Sequence, residues 1–196
     1  MEKTKQKRTL FYGWLIVVGC MLIQAVPYSL AANIQPAFTN YVTSGEGFTY
    51  TQFSLIFTIG TIVSALCSPF IGKLYSSPKA NIKLLYVLGV VLVGVGFASM
   101  SLAGGNIFAY YALSILVQIG SAIISAIGVP TLINSWFTEN KGIAMGLAFS
   151  GGGLGNMVLQ QFAGKWLSNP AIGYKGSYLR FGILALIVAL PIAIFI

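Results

Sequence analysis

Six apolar stretches, each about the 20 residues that a helix needs to cross a bilayer, are separated by polar and Gly/Pro-rich breaks. They cover residues 12–32, 52–75, 84–103, 107–137, 143–167 and 178–196. With 57% of its residues hydrophobic and only 7% charged, the chain cannot coat a globule in water, where about a quarter of residues are charged. Runs such as 84–95 lack the period-two alternation of a transmembrane strand, so the expected fold is an all-α membrane protein of six transmembrane helices. The fourth stretch is too long for one straight span. Its end, 130–137, is expected at the membrane surface with Trp136 and Phe137 as interfacial anchors.

The same residues narrow the chemistry. The chain has no His and no Asp, and its acids are Glu2, Glu46 and Glu139. A Ser-His-Asp triad, a paired-carboxylate site and a His-based metal site are unavailable, so no enzyme activity, catalytic residue, metal or cofactor is expected. Cys20 and Cys67 fall in apolar stretches, where a thiol packs as a small hydrophobe, and no disulfide is expected.

Lys and Arg set the expected orientation. A basic tail, 1–11, carries Lys3, Lys5, Lys7 and Arg8 ahead of the bundle at 12–196. Lys73, Lys79 and Lys83 lie between the second and third stretches, and Lys141 between the fourth and fifth. Only Lys165, Lys175 and Arg180 flank the last connection, on the other side. Eight against three places the amino terminus in the cytoplasm. The first stretch is long and has no small-residue cleavage site before a polar sequence, so it is a retained span. The net charge of +8 then serves orientation and attraction to the lipid bilayer, and no nucleic-acid partner is expected.

Polar residues within the stretches mark helices that face each other or a cavity. Gln24, Tyr28 and Gln35, at spacings of four and seven, fall near one face of the first helix. Ser114, Gln118, Ser121 and Ser125 form a similar stripe on the fourth, and these two stripes are the best cavity candidates. The second stretch carries Ser54, Thr58, Thr61 and Ser68, and the fifth carries Ser150, Asn156, Gln160 and Gln161 among glycines. Each Ser or Thr can instead bond its own backbone, and each amide fits either a cavity wall or a helix contact. Pro27 beside Tyr28 frees a backbone carbonyl and permits a kink. The third and sixth stretches have almost no polar residues and are expected to face lipid.

The order polar, polar, apolar thus occurs twice. Phe70, Ile71, Gly72, Lys73 and Leu74 are echoed by Phe162, Ala163, Gly164, Lys165 and Trp166. With three spans per unit the second copy is inverted in the bilayer, which predicts a 3+3 inverted repeat. Gly151 and Gly155 form a GxxxG pair where another helix can approach closely.

These residues resemble the amino-terminal half of a major facilitator superfamily transporter. Over 134–155, Trp136, Phe137, Lys141, Gly142, Ala144, Gly146, Ala148, Ser150, Gly151 and Gly155 resemble a segment shared by monocarboxylate transporters and oxalate/formate antiporter-like proteins. Tyr12, Gly13 and Trp14, and later Gly173, Tyr174 and Lys175, are similar to residues of those families at matching places. In the loop between the second and third spans, Gly72, Lys73, Lys79 and Lys83 match the family's pattern, while Ser76 stands where an aspartate is expected. Ala32 occupies the place of a functional lysine in animal monocarboxylate transporters, so that role is not carried over.

The resemblance implies secondary transport of a small solute, a mono- or dicarboxylate, across a prokaryotic plasma membrane by alternating access. Its candidate cavity residues are Gln24, Tyr28, Gln35, Gln118, Ser121, Ser125, Asn156 and Gln160. Family members have about twelve spans in two halves, so the expected partner is an absent carboxy-terminal half or a second copy of the chain. A non-transporting membrane subunit, or the truncated remnant of a transporter, is the alternative.

Overall fold

The structure is a computed structural model that describes residues 2–78 and 80–196, with side chains described from Tyr12 onward. The basic tail expected at 1–11 and Lys79 therefore lie outside the residues whose side chains are described. Six helices are long and apolar enough to cross a membrane: α1 (Tyr12–Glu46), α2 (Tyr50–Ser76), α3 (Ile82–Leu102), α4 (Ile107–Trp136), α5 (Lys141–Leu167) and α6 (Gly173–Phe195). No strand occurs among the described residues.

Three of the helices start where polar side chains satisfy the first orphan amides. Before α2, Gln52 N donates to Thr49 Oγ1 at 3.2 Å and Thr49 N donates to Gln52 Oε1 at 3.0 Å, a reciprocal capping box. Asn81 Oδ1 accepts from Leu84 N at 3.1 Å before α3, and Asn106 Oδ1 accepts from Phe108 N and Ala109 N before α4.

The largest departure from the expected boundaries is α1, which was expected to end at residue 32 and runs on to Glu46. Pro36 lies in the first turn of a 3-10 segment, Gln35–Phe38, where its missing N–H costs nothing, so the polar stretch around it stays helical. Gly47, in the left-handed conformation at φ 75°, then ends the helix. Upstream, the backbone forms two π turns, Gln24–Tyr28 around Pro27 and Leu30–Ile34, and α4 carries a third, Ala122–Ile127. The helices at matching places in the two repeats are thus both irregular at mid-length.

Packing follows the same symmetry. α1 lies along α5, α2 along α4, and α3 along α6. Exchanging the first three helices for the last three turns the α1–α5 pair into the α4–α2 pair and maps α3–α6 onto itself. At that self-paired contact, a Cβ added at Gly182 would lie 2.5 Å from the Gly94 carbonyl oxygen, and one at Gly94 would lie 3.2 Å from the Gly182 carbonyl oxygen. The bundle is a 3+3 inverted repeat of six transmembrane helices.

The expectation that the third helix simply faces lipid is corrected here, while the sixth keeps Ile183, Ile187 and Ile194 exposed. Half of the most apolar window of α3 is buried, against 17% in α2. Absence of polar side chains does not expose a helix to lipid. α3 uses Gly89, Gly94 and Gly96 to bring its backbone against α4 and α6, and a sheath of aliphatic groups packs around those contacts. Phe137 also departs from its expected place: it is buried, with its ring over Gly13 and set edge-to-face against Trp14 at 5.4 Å between ring centres, while Trp136 stays exposed beside Tyr12. Gly13 leaves the space that the ring fills. Cys20 and Cys67 are both free thiols.

Candidate solute-binding groove

A groove of about 440 Å³ lies between α1, α2 and α4. Its polar lining comes from Tyr28 of α1, Thr61, Ser64 and Ser68 of α2, and Gln118 and Ser121 of α4; Ala31, Ala32 and Phe57 supply apolar surface. The groove is built on both irregular helices. A π turn leaves carbonyl groups without their usual intrahelical partner, and a side chain from a neighbour can take them. Gln118 Nε2 donates to the Ala31 carbonyl at 3.2 Å, inside the second π turn of α1, and Ser64 Oγ donates to the Gln118 carbonyl at 3.1 Å. The side-chain amide of Gln118 is thereby aimed across the groove wall, half-buried, with its Oε1 free to accept.

The other polar residues of the two stripes hold helices together. Gln24 is fully buried; its Oε1 accepts from Ser125 Oγ of α4 at 3.0 Å, and its Nε2 has no partner. Gln35, also fully buried, donates from Nε2 to Ser114 Oγ at 3.4 Å, and Ser114 Oγ donates to the Ile56 carbonyl of α2 at 3.0 Å. The structure therefore brings Tyr28, Gln118 and Ser121 to the groove and places Gln24, Gln35 and Ser125 in contacts between helices. Asn156 of α5 is half-buried with its Oδ1 unpartnered, and Gln160 is exposed on the same helix.

The glycines of α5 explain why α1 can bend where it does. A Cβ on Gly151 would lie 2.0 Å from the Met21 carbonyl oxygen, and one on Gly155 would lie 1.8 Å from that of Ala25, so α1 and α5 touch backbone to backbone. Just beyond, Ser29 Oγ lies 3.0 Å from both the Gln24 and the Gly152 carbonyl oxygens, bridging the first π turn to α5. Nothing in the spacing of the sequence singled out Ser29 or Ser64; Ser29 becomes visible only beside the first π turn, and Ser64 only once α2 packs along α4. In the loop after α2, Gly72 and Lys73 lie in its last turns and Lys83 in the first turn of α3, with both lysines exposed.

At the opposite end of the bundle, Lys175 Nζ of α6 pairs with Glu46 Oε1 at 3.1 Å, and Tyr174 OH donates to the same oxygen at 2.5 Å. Glu46 is one of three acids in the chain, which was the available signal for this contact. The lining of the groove itself carries no charged side chain.

Comparison with known proteins agrees with this arrangement. The family model of the Major Facilitator Superfamily matches residues 13–196. Monocarboxylate transporter 12 of Xenopus laevis is 28% identical over 163 residues, which cover 80% of this chain and 35% of that protein. Riboflavin transporter RibJ of Trypanosoma brucei brucei is 25% identical over 185 residues, 93% of this chain and 33% of the relative. The oxalate:formate antiporter of Oxalobacter formigenes is 28% identical over 184 residues, 93% of this chain and 42% of that protein. The chain thus spans well under half the length of these curated relatives. A family match over almost its whole length, on a six-helix inverted repeat, makes this chain a member of the Major Facilitator Superfamily.

Proposed function

We propose that this chain forms the amino-terminal half of a secondary carrier for a small organic solute, and that the groove between α1, α2 and α4 is its share of the solute site. The observation that carries this reading is the position of the groove: it opens between the two helices broken by π turns, which supply Tyr28, Gln118 and Ser121, and α2, which supplies Thr61, Ser64 and Ser68, so it lies where a transporter half must both bind and bend. Tyr28, Gln118 and Ser121 are its hydrogen-bonding wall, and Gln24, Gln35, Ser125, Asn156 and Gln160 support or flank it. A second six-helix body, either a carboxy-terminal half or a second copy, faces the groove and rocks against this one.

A small mono- or dicarboxylate is the substrate class we favour, by similarity to relatives named for monocarboxylates, oxalate and formate. The relative named for riboflavin keeps a larger, neutral solute in view. Burying a carboxylate without a countercharge is very costly. Because the groove lining is uncharged, the cation belongs to the facing body, and this half supplies neutral donors. In this reading the amino terminus lies in the cytoplasm of a prokaryotic cell and the protein is not an enzyme. Lys73, Lys83 and Lys141 then share the cytoplasmic side, opposite Lys165 and Lys175.

The test is uptake of radiolabelled formate, oxalate, lactate, pyruvate and riboflavin into liposomes holding this chain, with and without a second six-span half. Saturable, selective uptake of one carboxylate that needs both halves is expected. Uptake of riboflavin alone would overturn the substrate class, and no uptake of any solute by the paired halves would overturn the carrier reading.

A further inference from the structure

A second cleft, of about 450 Å³, lies away from the groove where α2 ends and α3 begins, lined by Leu74, Ser77, Ala80, Asn81 and the leucines at 84, 85 and 88. We infer that this cleft binds an anionic diacyl phospholipid, with an acyl chain along the leucines and the phosphate held by Lys73 and Lys83. The floor is apolar and open: Leu74, Leu84 and Leu88 are 50%, 63% and 46% exposed where α2 ends and α3 begins. Such surface is stable against hydrocarbon and not against water.

The charged residues next to the lining have one sign. Lys73 and Lys83 immediately precede Leu74 and Leu84, both are exposed, and residues 72–84 contain no acid. The ion pair found among the described residues, Glu46–Lys175, is at the other end of the bundle, so neither lysine has a carboxylate partner there. Ser76 is uncharged, and its hydroxyl donates back to the Gly72 carbonyl at 3.0 Å. Lys83 also sits in the first turn of α3, where the positive end of the helix dipole disfavours a cation and favours an anion beside it. An anion here satisfies both lysines and the helix end.

Cleft and lysines together select an amphiphile. A free phosphate meets only the lysines, and a zwitterionic lipid gains only the leucines. Basic pockets between membrane helices recognise anionic headgroups by this combination, and a lysine near the surface contributes roughly a fivefold gain in binding. The inference does not depend on the carrier reading, because no residue of this cleft lines the solute groove.

The test uses the purified full chain in detergent, titrated with phosphatidylglycerol, phosphatidylcholine or inorganic phosphate, with bound lipid read by native mass spectrometry. Phosphatidylglycerol should be retained in preference to phosphatidylcholine, and inorganic phosphate should not displace it. Lys73→Gln with Lys83→Gln should lower that preference by about 25-fold, at about fivefold per charge, without changing phosphatidylcholine retention. Ala80→Trp, which fills the cleft, should lower retention of both lipids. An unchanged melting temperature in detergent alone reports that each variant is folded. Equal retention of the two lipids by the wild-type chain, or an unchanged preference in the double lysine variant, would overturn the inference.

Discussion

The two self-related pairs of helices in this bundle solve opposite problems. α3 and α6 are regular, apolar and locked through Gly94 and Gly182, with each backbone in the other's path if a methyl group is added. α1 and α4 are polar and interrupted by π turns, and side-chain hydrogen bonds tie them together, from Gln118 to the Ala31 carbonyl and from Ser125 to the Gln24 side chain. Between these two pairs, polarity accompanies the π turns, while lack of polarity accompanies close backbone packing. A rigid pair on the symmetry axis and a deformable pair beside the groove suit a body that moves as a unit but reshapes its binding wall.

The comparison breaks most severely at α5, the neighbour that α1 leans on. Gly155→Ala should destabilise the chain by about 3 kcal/mol or more, because the added methyl meets backbone that cannot rotate away. Thermal unfolding in detergent would check it. Gly153→Ala, where an added Cβ meets open space two residues away, should instead raise stability by about 0.5 to 1 kcal/mol. Similar melting temperatures for the two variants would contradict the backbone contact.

A middle-sized effect is expected within the irregular pair. Gln24→Leu removes a buried amide nitrogen without a partner but strands the Ser125 hydroxyl, which then lacks its acceptor. A cycle of Gln24→Leu, Ser125→Ala and the double variant should give a coupling of about 0.6 to 1.7 kcal/mol, the range of hydrogen bonds between membrane helices. Additive behaviour would mean that this contact does not tie α1 to α4.

Six spans were legible in the sequence because hydrocarbon thickness fixes helix length. The polar stripe on α1 was not fully legible. Spacings of four and seven put Gln24, Tyr28 and Gln35 near one face only if the helix keeps 3.6 residues per turn, and two π turns intervene. Tyr28 accordingly reaches the groove while Gln24 and Gln35 turn into helix contacts. The burial of α3 was hidden for a different reason: a lipid-facing helix and a glycine-packed core helix are equally apolar in hydrocarbon, so composition does not separate them.

The smallest effect belongs to the far end of the bundle. Lys175→Gln removes one partner of Glu46, but Lys175 is 53% exposed and Tyr174 still donates to the carboxylate. The loss should stay below about 1 kcal/mol and should shrink further in high salt. A loss as large as that of Gly155→Ala would show that this contact, rather than the glycine interfaces, sets the stability of the fold.

The central claim is that the wall on the irregular helices, with Gln118 at its middle, contacts the transported solute. The direct measurement is initial uptake by the paired halves, comparing wild type with Gln118→Leu at matched amounts of folded protein. Gln118 is half-buried and makes one hydrogen bond with its amide, so its loss should lower stability by no more than about 1 kcal/mol. The account predicts that uptake falls at least about tenfold, the effect of losing about 1.4 kcal/mol of solute binding or transition-state contact, while the melting temperature barely moves. Unchanged uptake by folded Gln118→Leu protein, or a loss that merely tracks the amount of folded protein, would contradict it.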